Sequence, residues 1–283
     1  MTPQPEIVAL VLLAALSHAL WNTLIKTGED RLMTMAMILG TGTLICAPLA
    51  FAVAPPDAAS WPYLLTSALL LHTFYFAFLV KSYQVGDLSH VYPLARGVSP
   101  LLVAALAAAA AEEILPLMGL AGVALACLGI TSLAFETGRP WRNDSRPLFY
   151  ALGTAIFITL YTVVDGLGVR LSGNPFSYIV WLMMLHSIPF TCIAIVRRRG
   201  NVAPILRACW KKCLAGSLLN LFGYGVVLWA MNASTMAAIS ALRETSVIFA
   251  ALIGALMLGE RFGRLRIFAA VLVAAGIAMM NLA

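Results

Sequence analysis

Two arginines stand in stretches that otherwise carry little charge: Arg96 in Tyr92-Pro93-Leu94-Ala95-Arg96-Gly97-Val98-Ser99, and Arg243 in Ile239-Ser240-Ala241-Leu242-Arg243-Glu244-Thr245-Ser246. A serine follows each at i+3, Ser99 and Ser246, on nearly the same face of a helix. A guanidinium is always ionised and presents a planar fork of donors that matches a carboxylate or a phosphonate. Two of them in low-dielectric surroundings would select an anion. Glu244 and Asp165 are the carboxylates placed within apolar segments, which makes them candidates for carrying a coupling proton. Glu244 adjoins an arginine, so Asp165 is the stronger candidate.

Other polar side chains recur at helical spacing. His18, Asn22 and Lys26 fall at i, i+4 and i+8 with Trp21 beside them, and Tyr161 stands one turn before Asp165. His72, Tyr75 and Tyr83 share one apolar segment, and Ser217, Asn220 and Tyr224 share another. Arginine or aspartate at the centre of a membrane helix costs about 2.5 to 3.5 kcal/mol on insertion scales, so intramembrane polar groups face protein or water. The expected substrate contacts are therefore Arg96, Arg243, Trp21, Asn22, His18, Ser99, Ser246, Tyr161, Asn220, Tyr224, His72 and Tyr75. Two blander readings compete: hydroxyls and amides that only hold helices together, and arginines that snorkel to the interface along their own stems.

The elements that must position these groups follow from hydropathy. Apolar residues make up 61% of the chain and charged ones 11%, against roughly 25% charged in an average soluble domain. Crossing a ~30 Å hydrocarbon core takes a helix of about 20 residues. Ten such segments are expected, at 5–26, 32–54, 61–83, 89–111, 114–135, 147–169, 176–196, 208–231, 236–258 and 262–282, leaving no soluble domain. The N-terminus has no basic n-region of a signal peptide, so the first segment is expected to be retained. Pro93 and Pro100 make the fourth segment a candidate for local opening.

Residues 92–130 recur as 239–277 at a constant offset of 147: Arg96 maps to Arg243, Ser99 to Ser246, Glu113 to Glu260 and Gly129 to Gly276. The chain therefore divides into halves at 1–137 and 147–283, joined by a linker at 138–146. Five spans is an odd number, so the halves must be inverted. Inversion sets Arg96 and Arg243 on opposite sides of the midplane, roughly 13 Å apart in depth at 1.5 Å per residue. No metal-ligand spacing, nucleophile elbow or phosphate loop is present, and the five cysteines lie in or beside apolar segments. An enzyme, a metal or a cofactor is not expected.

Apolar helix, Leu258-Gly259-Glu260-Arg261, spacer, then an Ala/Val/Gly-rich helix ending Ala275-Gly276-Ile277 is a pattern repeated from Ala111-Glu112-Glu113 to Leu128-Gly129-Ile130. It resembles the EamA family of the drug/metabolite transporter superfamily over the whole chain. The resemblance implies an all-α basket of ten helices in two inverted five-helix repeats, with helices 1–4 and 6–9 around a central cavity and 5 and 10 as scaffold. It also implies a secondary carrier working by alternating access. The segments around Trp21 and Arg96 are similar to those of bacterial members linked to phosphonate use.

The expectation is a transporter of a small anionic or zwitterionic metabolite, such as an amino acid, carboxylate or phosphonate-like compound, working as an exporter. A proton-coupled exporter of cations is the second reading, and a lipid-linked flippase or a non-transporting assembly factor is the third. The partners implied are a small-molecule substrate, the lipid bilayer and protons as coupling ion, with no nucleic acid, in a monomer or homodimer.

Fifteen of the 18 lysines and arginines fall in or beside the loops after spans 1, 3, 5, 7 and 9; the others are Arg96, Arg170 and Arg243. The positive-inside rule then sets those loops in the cytoplasm and both termini outside. In a protein stripped of its native cysteines, Ala283→Cys should react with a membrane-impermeant maleimide in intact cells while Gly200→Cys stays protected. The reverse labelling would invert the orientation.

Overall fold

The computed structural model describes residues 4–26, 30–86, 88–136, 144–197, 202–258 and 263–282. The side chain of Lys26, residues 138–143 of the expected linker, and Arg198, Arg199, Gly259, Glu260 and Arg261 lie outside them. Among the described residues, ten helices are long and apolar enough to span a membrane. They are α1 (Pro5–Lys26), α2 (Arg31–Ala52), α3 (Ala58–Val85), α4 (Leu88–Ala111), α5 (Leu117–Phe135), α6 (Arg146–Arg170), α7 (Pro175–Arg197), α8 (Val202–Ala233), α9 (Met236–Arg243, resuming at Ser246–Leu258) and α10 (Arg264–Asn281). The ends fall close to those expected from hydropathy, except that α8 starts at Val202. Its first turns carry Arg207, Lys211 and Lys212, which extend the helix past the apolar stretch.

Local chemistry sets the turns. Between α6 and α7, Gly173 takes φ +67°, which only a residue without Cβ adopts freely. Asn174 then caps α7, its side-chain oxygen accepting from the Phe176 N–H at 3.0 Å, and Pro175 fills the first helical position.

Pairing between helices reveals the symmetry. α5 is the fifth helix of the first half and α10 of the second, and they pack against each other. A Cβ on Gly122 would lie 2.6 Å from the Gly276 carbonyl oxygen, and one on Gly129 would lie 2.9 Å from that of Ala269. Gly129 is the repeat equivalent of Gly276, and Gly122 of Ala269. The contacts are thus reciprocal, as across a two-fold axis. As numbering rises along α5 it falls along α10, so equivalent helices run antiparallel. The halves are inverted.

The remaining helices obey the same exchange. α1 packs on α8 and α9, its equivalent α6 packs on α3 and α4, and α2 packs on α7. Each half therefore completes the walls of the other. The end of the bundle that holds the α4–α5, α6–α7 and α8–α9 connections is tied by Arg170. It ion-pairs with Glu113 and donates to the carbonyls of Met231 at 3.0 Å and Ser234 at 2.8 Å. Glu113 in turn accepts from the Met236 N–H at the start of α9, at 2.7 Å. Large apolar side chains such as Leu44, Phe51, Leu256 and Ile267 remain exposed on the outside, as lipid contact requires.

Three helices are irregular, and they are the ones that matter below. α3 contains a π-helical turn at Thr66–Leu71. α7 breaks at His186–Ser187, where Pro189 removes the donor for the Leu185 carbonyl. α9 breaks at Glu244–Thr245: the Thr245 hydroxyl takes the Leu242 carbonyl at 2.7 Å, and the Val247 N–H turns to Glu244, three residues back, at 3.0 Å. Competition from a threonine hydroxyl for helical carbonyls is a known cause of such breaks. The expected opening of α4 does not occur: Pro93 and Pro100 sit in a continuous helix. The opening lies instead at the equivalent point of α9.

Backbone contact at Gly122 and Gly276 makes a direct test of the two-fold. Gly276→Leu should lower the apparent melting midpoint of the purified protein by several degrees, since overpacking costs about 1–3 kcal/mol. An unchanged midpoint would show that α5 and α10 do not meet backbone to backbone.

Candidate functional site

α9 breaks where its charges are. Glu244, fully buried, meets both arginines: Arg96 Nε lies 2.6 Å from its Oε2, and Arg243 Nη2 lies 3.3 Å from its Oε1. Arg243 Nε also donates to Oε1 at 3.4 Å. The Arg96 contact is an ion pair without hydrogen-bond alignment, since neither Nε nor Oε2 has a hydrogen-bond partner. Arg96 Nη2 donates to the Ser246 hydroxyl at 3.4 Å, so the arginine of one half reaches the serine of the other. Tyrosine rings cover both guanidiniums, Tyr92 beside Arg96 and Tyr161 beside Arg243, each at 5.8 Å from the ring centre. Two cations share one anion, which leaves the cluster one net positive charge.

The 13 Å separation in depth expected of the arginines does not keep their charges apart. That figure follows the helix backbone, whereas an extended arginine reaches roughly half of it, and the two side chains converge on one carboxylate. Snorkelling to the interface is also overturned, because both side chains are buried against Glu244. Gly97, the repeat counterpart of Glu244, lies against α5: a Cβ there would come 2.8 Å from the Thr131 backbone nitrogen. The first half therefore has no room for a second glutamate.

A cavity of about 40 Å³ lies between the halves, lined by Ala14, His18, Trp21, Leu39, His72, Tyr75, Phe76, Tyr161, His186, Asn220, Gly223, Tyr224 and Arg243. One water needs about 10–15 Å³ by this measure. The space holds a few waters, so a metabolite enters only if the walls part. The structure thus brings together Arg243, His18, Trp21, His72, Tyr75, Tyr161, Asn220 and Tyr224 of the expected contacts. Arg96 stands behind this wall through Glu244, and Ser246 through Arg96. Ser99 donates to the Ala95 carbonyl at 2.6 Å and Asn22 to that of His18 at 2.7 Å, so both are turned to their own helices.

Asp165, fully buried, accepts hydroxyl hydrogen bonds from Tyr178 at 3.1 Å and from Tyr224 at 2.6 Å. Among the described residues it has no ion-pair partner. Tyr224 links it to the cavity. Tyr178, on α7, was not expected, and the same holds for Phe76 and His186. His186 carried a usable signal: a lone imidazole in a very apolar span, with Pro189 three residues on to break the helix.

The imidazoles are held in defined tautomers. His72 Nδ1 lies 3.1 Å from the Ser67 carbonyl, across the π turn, and 3.2 Å from its hydroxyl. His186 Nδ1 lies 3.1 Å from the Met183 carbonyl and 3.2 Å from that of Leu182. A carbonyl only accepts, so both Nδ1 atoms carry the proton. His18 is the opposite case: its Nδ1 accepts from the Trp21 indole N–H at 3.1 Å, which puts the proton of the neutral ring on Nε2.

Comparison with known proteins adds the family. No curated protein matches the sequence. A solved crystal structure of a protein 16% identical to this chain superposes with a TM-score of 0.77, covering 98% of this chain and 96% of that one, which shows a shared fold. The sequence model of the EamA-like transporter family matches residues 6–135 and 145–282, once in each half. With both halves matched, a two-fold exchange of helices and a polar cavity between them, the chain belongs to the EamA-like transporter family.

Proposed function

We propose that this transporter carries a small anionic or zwitterionic metabolite across the cytoplasmic membrane by alternating access, with a proton as coupling ion. The observation that supports it is the arginine–glutamate–arginine cluster. Burying an ion costs several kcal/mol even after relaxation, and Glu244 compensates one of the two guanidiniums. Arg243 lines the cavity and Arg96 does not, so the residual charge is offered to the substrate through Arg243. An amino acid, a carboxylate or a phosphonate-like compound supplies the missing anion, and the fork geometry of arginine favours a planar or trigonal oxygen pair.

Asp165 fits the coupling role. It is a buried carboxyl held by hydroxyls and by no cation among the described residues, so a proton is the simplest means of neutralising it. Its link to the cavity through Tyr224 supports a shared field for protonation and substrate. With Asp165 ionised, Arg96, Arg243, Glu244 and Asp165 sum to zero; with it protonated they sum to one positive charge. Anion and proton are thus expected to bind together.

Reconstitution into proteoliposomes tests both parts. With L-alanine, L-phenylalanine, 3-phenylpropanoate and 2-aminoethylphosphonate as probes, wild-type protein should bind or exchange at least one, Arg243→Lys should weaken it about tenfold and Arg243→Ala should nearly abolish it. Asp165→Asn should keep substrate-for-substrate exchange and lose uphill movement driven by a proton gradient. Well-folded Arg243→Ala protein with wild-type affinity would sink the anion site, and equal loss of both modes in Asp165→Asn would remove it from coupling.

A further inference from the structure

We infer that His72 and His186 form an acceptor site for an ammonium group on the substrate, which makes the cargo a zwitterion rather than a simple anion. The inference rests on the anion site proposed for Arg243 and adds the second pole.

Both imidazoles line the cavity, at 4% and 5% exposure. Their rings meet edge to face with centres 5.2 Å apart. Backbone carbonyls hold the proton of each on Nδ1, so each presents a bare lone pair at Nε2. Among the described residues neither Nε2 has a protein donor. Two acceptors on neighbouring rings that line one cavity are open to a ligand or water that donates to them. A hydroxyl has one hydrogen and satisfies one imidazole, whereas an ammonium has three and serves both at once.

The surroundings suit a cation. Tyr161 stacks on His72 at 4.4 Å, and Tyr224 and Phe76 flank it at 5.8 and 6.2 Å. Aromatic faces attract an ammonium. Two other groups of the lining have the opposite polarity: Arg243 donates, and His18, whose Nδ1 is occupied by Trp21, donates from Nε2. The lining thus offers donors at Arg243 and His18 and bare acceptors at His72 and His186, beside the mixed groups of Asn220, Tyr75, Tyr161 and Tyr224. A zwitterion has the same polarity from end to end. The irregular backbone serves this arrangement, since the π turn of α3 puts the Ser67 carbonyl under His72 and the break in α7 occurs at His186 itself.

Matched pairs of probes test the site on the purified full-length protein by calorimetry: L-alanine against propionate, L-phenylalanine against 3-phenylpropanoate, and 2-aminoethylphosphonate against ethylphosphonate. In each pair that binds, the amino compound should bind at least about tenfold more tightly, because its absence leaves two acceptors unpaired. His72→Phe and His186→Phe, which keep a ring, should reduce that preference to near unity. His72→Gln, with an amide oxygen near the position of Nε2, should recover part of it. Equal binding within the pairs, or an undiminished preference in the phenylalanine variants, would overturn the ammonium site and leave the anion reading intact. If no member of any pair binds, the anion reading falls and the ammonium site falls with it. Should a phenylalanine variant fail to fold, the wild-type ratios and the glutamine variant still decide.

Discussion

Everything in the centre of this protein depends on how three charges are kept out of lipid. Arg96, Glu244 and Arg243 bury together, and none would be tolerated alone, since removing one partner of a buried pair costs about 3–5 kcal/mol. The carboxylate comes from one half and serves both. It can do so because α9 opens at Glu244–Thr245, which frees the side chain to sit between two guanidiniums that approach from different helices. The break in the helix, the asymmetry between Gly97 and Glu244 and the residual positive charge are three consequences of one arrangement.

The scaffold allows this arrangement to be shared. Antiparallel packing of α5 on α10 through Gly122, Gly129, Gly276 and Ala269 fixes the pseudo-two-fold, and the exchange of α1 for α6 and α8 for α3 then brings equivalent positions to one cavity. Exact symmetry would give two like-charged arginines and no anion between them. The one departure, a glutamate where the first half needs a glycine to pass Thr131, makes the site buildable. Arg170, the single lysine or arginine in or beside the loops after spans 2, 4, 6 and 8, ties the ends of α6, α8 and α9 to the α4–α5 connection.

Hydropathy and self-similarity made the ten spans, the duplication and the inversion legible, because lipid imposes both length and polarity on every segment. Residues that ended up around the cavity, such as His18, His72, Tyr161, Tyr224 and Arg243, could be picked out for a related reason: polar groups in apolar helices are few and must face inward. Less could be read where the backbone departs from a straight helix. Distances measured along ideal helices separated two arginines whose side chains meet. Prolines drew attention to α4, yet α9, with Glu-Thr-Ser and no proline, is where the chain opens. Spacing alone marked Asn22 and Ser99 as cavity residues, although their side chains satisfy carbonyls of their own helices. Tyr178 depends on the path of α7 relative to α6, which no single segment encodes, whereas His186 was a lone imidazole in an apolar span whose signal went unused.

The central claim is that Glu244 occupies one of two anion positions and leaves the other for substrate. Melting of the Glu244→Gln protein against wild type, over a range of propionate concentrations at fixed ionic strength, tests it most directly. Without propionate the variant should melt well below wild type, because two buried guanidiniums then face each other uncompensated. Added propionate should stabilise the variant more than the wild type, as an anion replaces the lost carboxylate. A variant that melts like wild type, or that gains no more from propionate than wild type does, would contradict a shared anion site between the arginines.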